Sequence, residues 1–242
     1  MKLRYVLFLL ISIWSCSKEE VSGEPRDGIR ILFVGNSLTY TNDIPALVKE
    51  LGKLDAVSID YKTIAGGDYG LDDHLTDGNV QKEIKKGKYD FVVVQQGPSA
   101  LPESQANLMA AVQKYKALCD EAKTKLAVYM VWPSKGRLFD LDNVIFSYSN
   151  AGKKNNAMIC AAGLAWKKTW ATDPSISLYG SDGFHPDLSG SLLSAMVIYG
   201  TLIGKYEFGQ LQSGNTSWSK YINTKTLDVL KNTAKEAIET KF

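Results

Sequence analysis

The chain has 242 residues, 45% of them hydrophobic and 22% charged, with a net charge of +2. That balance suits a globular domain long enough to bury a full core, and no internal repeat or low-complexity tract interrupts it. The charge is near neutral and forms no basic stripe, which argues against a nucleic-acid partner, whose binding needs a clustered positive footprint.

The N-terminus reads as a targeting signal. Lys2 and Arg4 precede an apolar run over residues 5–14. That run is too short to span a bilayer, which takes about 20 apolar residues, and it fits the apolar core of a secretory signal. Ile13-Trp14-Ser15-Cys16 comes next. It resembles the lipobox of bacterial lipoproteins, which implies cleavage before Cys16 and lipidation of that residue. The alternative is a plain signal peptide cut near Ser15. Ser17-Lys18-Glu19-Glu20 is similar to the acidic patch that directs some Gram-negative lipoproteins to the cell surface. The expected organisation is a signal peptide over 1–15, the lipidated Cys16 and a polar tether over 16–27, and one folded domain over 28–242.

Beyond the tether, apolar β-branched runs alternate with helical patterns. Residues 29–34 read as a strand. Residues 44–54 carry Ile44, Leu47, Val48, Leu51 and Leu54 at helical spacing. Further strands are expected at 57–64, 91–95, 126–131 and 176–178. Helices are expected at 79–86, 103–123, most of 144–169, 188–203 and 224–241. The third strand is apolar on both faces, as a central parallel strand is. Strands separated by helices predict parallel βαβ units and a three-layer α/β/α sandwich around a five-stranded, flavodoxin-like sheet. Ligands in such folds sit at the carboxyl ends of the strands.

The residues just past each strand are therefore the candidates. Gly35-Asn36-Ser37-Leu38 follows the first strand. There Ser37 is either a nucleophile or a helix cap, a role serine fills well. Ala65-Gly66-Gly67-Asp68 follows the second. Its glycines give either a flexible turn or a close backbone approach to a substrate oxygen. Gln95-Gln96-Gly97-Pro98-Ser99 follows the third, and a buried amide there needs partners. The last loop, "YGSDGFHPDLSG", holds Asp182 three residues before His185. A carboxylate so placed can orient an imidazole and stabilise its protonated form; a turn with a capping aspartate is the plainer alternative. The other histidine, His74, sits in a short polar stretch and reads as structural. Cys119 and Cys160 lie in helix-like segments. An envelope location permits a disulfide between them, although two small buried thiols are the simpler reading. No CxxC or Cys/His cluster suggests zinc.

Taken together, these blocks resemble the SGNH/GDSL hydrolases over about residues 29–205. Gly35-Asn36-Ser37-Leu38 matches the nucleophile block, Gly67 the oxyanion glycine, and Asp182-Gly183-Phe184-His185-Pro186 the Asp-x-x-His block. The third block departs from the usual Gly-x-Asn-Asp. Gln95, Gln96 and Ser99 are the candidates there, and some family esterases acting on acetylated sugars carry a Gln-Gly pair, which favours Gln96. The resemblance implies a serine esterase with Ser37 as nucleophile, His185 as base and Asp182 as its orienting carboxylate. It also implies an oxyanion hole made by the N–H groups of Ser37 and Gly67 and the Gln96 amide, and no need of a metal or organic cofactor. The Gln96-Gly97 likeness further implies short-acyl, most simply acetyl, ester substrates, small molecules or glycans, and the lipobox-like segment implies an enzyme anchored in the outer membrane of a Gram-negative bacterium. Trp132 and Pro133 are candidates to line the cleft, though burial is the commoner fate of a tryptophan. The alternatives are an acyltransferase using the same triad, or a non-catalytic glycan-binding lipoprotein.

Overall fold

The computed structural model describes residues 28–242; the expected signal segment, Cys16 and the tether lie outside the described residues. Five parallel strands form one sheet in the order β2-β1-β3-β4-β5. The centre holds β1 (Ile29–Gly35), β3 (Phe91–Val94) and β4 (Lys125–Tyr129). Their apolar runs are continuous because helices cover both faces of the sheet, so no face is left for polar residues. The edge strand β2 (Ile59–Ala65) is only partly buried. The opposite edge is β5 (Met158–Cys160), three residues long.

Two helical layers flank this sheet. One contains α2 (Ile44–Leu54), α7 (Ala162–Thr172), α8 (Leu188–Ile203) and α9 (Thr224–Glu239), which pack on one another. The other contains α3 (Leu71–Asp77), α4 (Asn79–Ile84), α5 (Pro102–Glu121) and α6 (Leu141–Lys154). A four-residue turn of helix, α1 (Ser37–Tyr40), leads from β1 toward α2. Helix α2 begins where Asp43 Oδ1 accepts the Ala46 N–H and Pro45 stands in the first turn. Helix α8 is apolar nearly all round and buried from Gly190 to Gly200. A side chain at Gly190 would lie 2.3 Å from the Leu178 carbonyl and 2.6 Å from the Trp166 ring, so this contact requires glycine.

The three-layer fold matches the expectation, but the fifth strand does not. Residues 176–178 form no strand. Ile176 and Leu178 are buried and Ser175 and Ser177 exposed, so the alternation that suggested a strand is real. It comes from an extended segment that pairs with no strand of the sheet; its bridge is antiparallel, between Tyr179 and Pro186 of its own loop. The true β5 lies inside the stretch 144–169, whose sequence pattern reads as mostly helical. There α6 stops at Lys154, Asn156 takes a positive φ of 48°, and Met158–Cys160 pairs with β4 before α7 begins. Cys119 and Cys160 are both buried and unpaired among the described residues. Burial pushes each thiol up to about 12.

Candidate active site

The register of the sheet gathers three of the four candidate loops. Ile64, Val34 and Val94 form one row, and each chain leaves the sheet just past it. Ser37, Gly67 and Gln96 stand two or three residues beyond that row, on adjacent strand ends. The fourth loop is fastened to the same edge from outside. Asn42 Nδ2 donates to the Pro186 carbonyl at 3.0 Å and lies 2.9 Å from Ser191 Oγ. Trp132 Nε1 donates to the Phe184 carbonyl at 3.1 Å, and the Lys135 N–H to the Gly183 carbonyl at 2.8 Å.

Ser37 is not the cap of its helix. Asn36 occupies that position with extended backbone, and its Oδ1 accepts the Leu38 N–H at 3.1 Å. The Ser37 hydroxyl and its own N–H make no hydrogen bond among the described residues. Both are left for a ligand, and Ser37 is half-buried. Gly35 allows the turn before it. A Cβ there would lie 2.3 Å from Thr39 Oγ1 and 2.5 Å from Gln95 Oε1.

Those two atoms belong to a buried network that fixes the serine loop. Gln95 is fully buried. Its Oε1 accepts the Asn36 N–H at 3.0 Å and the Thr39 hydroxyl at 2.7 Å. Its Nε2 donates to Asn36 Oδ1 at 2.9 Å and to the Gln96 carbonyl at 2.6 Å. Asn36 Nδ2 in turn donates to the Tyr69 carbonyl at 3.0 Å. The loops after β1, β2 and β3 are thereby tied through two amides, with both Gln95 amide hydrogens and one of Asn36 engaged. Gln95→Ala is expected to lower stability by about 1–3 kcal/mol, because it strands the buried Asn36 N–H and Thr39 hydroxyl. Urea denaturation checks this; an unchanged midpoint would show that the network is dispensable.

The three third-block candidates thus separate by their hydrogen bonds. Gln95 has no free N–H. The Ser99 hydroxyl donates to the Gly97 carbonyl at 3.0 Å. Gln96 Nε2 donates to Ser99 Oγ at 2.9 Å and its Oε1 faces the Leu71 N–H at 3.4 Å, which leaves one amide hydrogen without a partner among the described residues. Tyr148 from α6 holds the Gln96 backbone, its hydroxyl donating to the Gln96 carbonyl at 2.6 Å. Gly67 is exposed; a Cβ on it would stand 3.6 Å from the Tyr40 hydroxyl.

In the last loop His185 Nδ1 lies 2.6 Å from Asp182 Oδ2. Asp182 Oδ1 accepts the backbone N–H groups of Phe184 and His185 at 2.9 and 3.0 Å. The His185 hydrogen bond and these N–H groups hold the carboxylate at about 2, below its ordinary 3.8. An ionised Asp182 selects the tautomer with the proton on Nδ1, which turns Nε2 of His185 into a base. The loop is closed by bonds from the Gly180 N–H to the His185 carbonyl and from the Gly183 N–H, at a φ of 67°, to the Gly180 carbonyl. No hydrogen bond joins Ser37 to His185 in this structure; such bonds are often long before substrate binds.

His74 belongs to the scaffold. It sits on α3, so the short polar stretch is helical, and it is buried with Nε2 donating to the Gly35 carbonyl at 2.8 Å. Trp132 does not line the cleft. It is fully buried and stacked on Trp166 with ring centroids 3.5 Å apart. Its part is to hold the Phe184 carbonyl next to His185, while Pro133 does line a cavity beside the site. Asn36 as the cap, the inward-turned Gln95, and the Tyr148 and Trp132 anchors were not singled out from sequence. A larger cavity of about 700 Å³ lies on the outer side of the 179–187 loop and contains none of the candidate residues.

The five-stranded parallel sheet in this order, with these helical layers, is the SGNH/GDSL hydrolase fold. Among solved structures the chain is similar to a protein assigned to the SGNH hydrolases from Slackia heliotrinireducens, with 23% identity, 72% of this chain and 99% of that one covered, and a TM-score of 0.59. It is similar to a DUF4886 family protein from Bacteroides uniformis, with 17% identity, 88% and 95% covered, and a TM-score of 0.72. It is also similar to a lipase/acylhydrolase from Enterococcus faecalis, with 16% identity, 71% and 93% covered, and a TM-score of 0.57. No family model and no curated protein matches the sequence.

Proposed function

We propose that the chain is a serine ester hydrolase acting through an acyl-enzyme. The observation that carries the reading is the Asp182–His185 pair at 2.6 Å, fastened to the sheet edge where the Ser37 hydroxyl and N–H have no partner among the described residues. In the proposed reaction Ser37 Oγ attacks the ester carbonyl while His185 Nε2 takes its proton. The oxyanion receives the Ser37 and Gly67 N–H groups and the spare Gln96 amide hydrogen. His185 returns the proton to the leaving alcohol, and water then releases the acyl group by the reverse sequence. Gln96→Ala is expected to cut turnover by roughly 10²–10³ with little change in KM, because its bond tightens only in the transition state. An inert Gln96→Ala moves that role elsewhere.

For substrate, the reading is a short acyl group, most simply acetyl, on a carbohydrate outside the cytoplasm. Gln96-Gly97 and the lipobox-like segment support it. The direction of the chain also agrees. The tether would join β1 at its first residue, whereas the candidate site lies past its last, and seven strand residues span about 23 Å. A protein anchored at Cys16 can therefore hold the site on its far side from the membrane. The test is a panel of p-nitrophenyl esters of increasing acyl length beside acetylated oligosaccharides. Activity is expected to peak at two to four carbons, about the size of an acetyl to butyryl group. A rise beyond about eight carbons would replace this reading with a lipase.

A further inference from the structure

A cavity of about 370 Å³ adjoins the candidate site between the loops after β3 and β4. Two of its walls belong to the site itself. Ser99 accepts the Gln96 amide, and Phe184 precedes His185, their rings 5.2 Å apart. Pro98, Leu101 and Pro133 add apolar surface, and among the described residues one cation, Arg137, lines the space.

Arg137 is held in place. Its Nε donates to Asp140 Oδ2 at 2.8 Å, and Nη2 lies 2.6 Å from the same oxygen. The Asp140 side chain is 8% exposed and the arginine 50%. The carboxylate is thus buried behind the guanidinium rather than offered to solvent. Nη1 has no partner among the described residues. A guanidinium fixed on one edge loses little freedom when its other edge binds, and its planar donors match a carboxylate. Among the described residues Asp140 is the one acid lining the cavity and is engaged by Arg137, so no free acid among them repels an anion there. Lys135, on the same short 3-10 segment (Lys135–Asp140), has no acidic partner among the described residues and keeps the segment net positive.

We propose that this cavity is a subsite for a carboxylate carried by the ester substrate, and that Arg137 is the residue that reads it. The proposal rests on the esterase reading above and specifies its substrate: an acylated acidic sugar, or an ester with an acidic acyl group, in preference to a neutral one. Asp140 is a positioning residue, acting only through Arg137.

The test compares matched pairs. For a carboxylate on the alcohol side, the pair is an O-acetylated methyl glucuronide and the same acetylated methyl glucoside. For one on the acyl side, it is p-nitrophenyl hemisuccinate and p-nitrophenyl acetate. The wild type is expected to favour the acidic member of one pair at least tenfold in kcat/KM, through KM, with the preference shrinking as salt is added. Arg137→Gln is expected to bring that ratio near one. Asp140→Asn is expected to reduce it, with KM rather than kcat affected. Equal kcat/KM for both members of both pairs, or a preference that survives in Arg137→Gln, overturns the proposal. Binding of methyl glucuronide and of free succinate to Ser37→Ala, followed by calorimetry, separates this from the esterase reading. Saturable binding of either anion that Arg137→Gln abolishes supports the subsite even if no ester is hydrolysed, and binding unaffected by Arg137→Gln overturns it.

Discussion

Ser37→Ala is expected to fold as the parent chain does and to lose esterase turnover by on the order of a million-fold, the usual cost of removing a triad nucleophile. Both halves of this expectation come from the same hydrogen bonds. A serine at the start of a helix is most simply a cap, and losing a cap costs about 0.5–2 kcal/mol. Here Asn36 does the capping, and the Ser37 hydroxyl has no partner among the described residues. The substitution therefore removes a group that the fold does not use. Urea denaturation should give a midpoint within error of wild type, while a fluorophosphonate probe should label wild type and spare the variant. A destabilised variant that still takes the label would return Ser37 to the scaffold and leave the site without its nucleophile.

The strand ends were legible because a parallel sheet buried on both faces must be written as apolar runs, and each run stops where the chain leaves the core. β1, β3 and β4 are of this kind, and their exits carry Ser37, Gln96 and Pro133. The fifth strand was not legible because Met158–Cys160 is shorter than a helical repeat and sits among alanines that suit a helix. A stop signal was present before it: Lys153 and Lys154 in the last turn of α6, then two asparagines, the second in the left-handed region. Helix α3 was missed although Gly70-Leu71-Asp72-Asp73 carries its start, the Asp73 carboxylate accepting the Gly70 N–H at 2.7 Å. Adjacent residues at a strand end point to opposite faces. One of Gln95 and Gln96 therefore had to turn into the Asn36 network and the other toward Ser99. Which one did was fixed by the partners waiting on each side, Asn36 and Thr39 against Ser99, and these meet only once the loops are folded.

His185→Ala is expected to match Ser37→Ala, about a million-fold down, because nucleophile and base act as one unit and losing either loses the whole. Asp182→Asn is expected to be milder, at about ten-thousand-fold, since it spoils the tautomer of His185 without removing the ring. The structure gives the carboxylate a pH signature. Asp182 is held at about 2, mainly by the His185 hydrogen bond and the Phe184 N–H. Its folded value lies below the ordinary 3.8, so the ionised form is the favoured one; any stability it confers is present above that ordinary value and is lost only as pH falls through about 2. Above about pH 4 the carboxylate is therefore ionised throughout, and no acid-side break in kcat/KM belongs to it. Asp182→Asn should consequently lower the plateau of the profile. His74 supplies the control. Its Nε2 donates to the Gly35 carbonyl from a buried position, so His74→Gln is expected to cost stability, of order 1–3 kcal/mol for a strained or lost buried bond, while the folded fraction keeps turnover within about tenfold. Full pH profiles of the three variants, with denaturation midpoints measured beside them, decide the matter. If His74→Gln abolished turnover in folded protein while His185→Ala kept it, the base would be the histidine behind the nucleophile loop, and the Asp182–His185 pair would be a loop clasp alone.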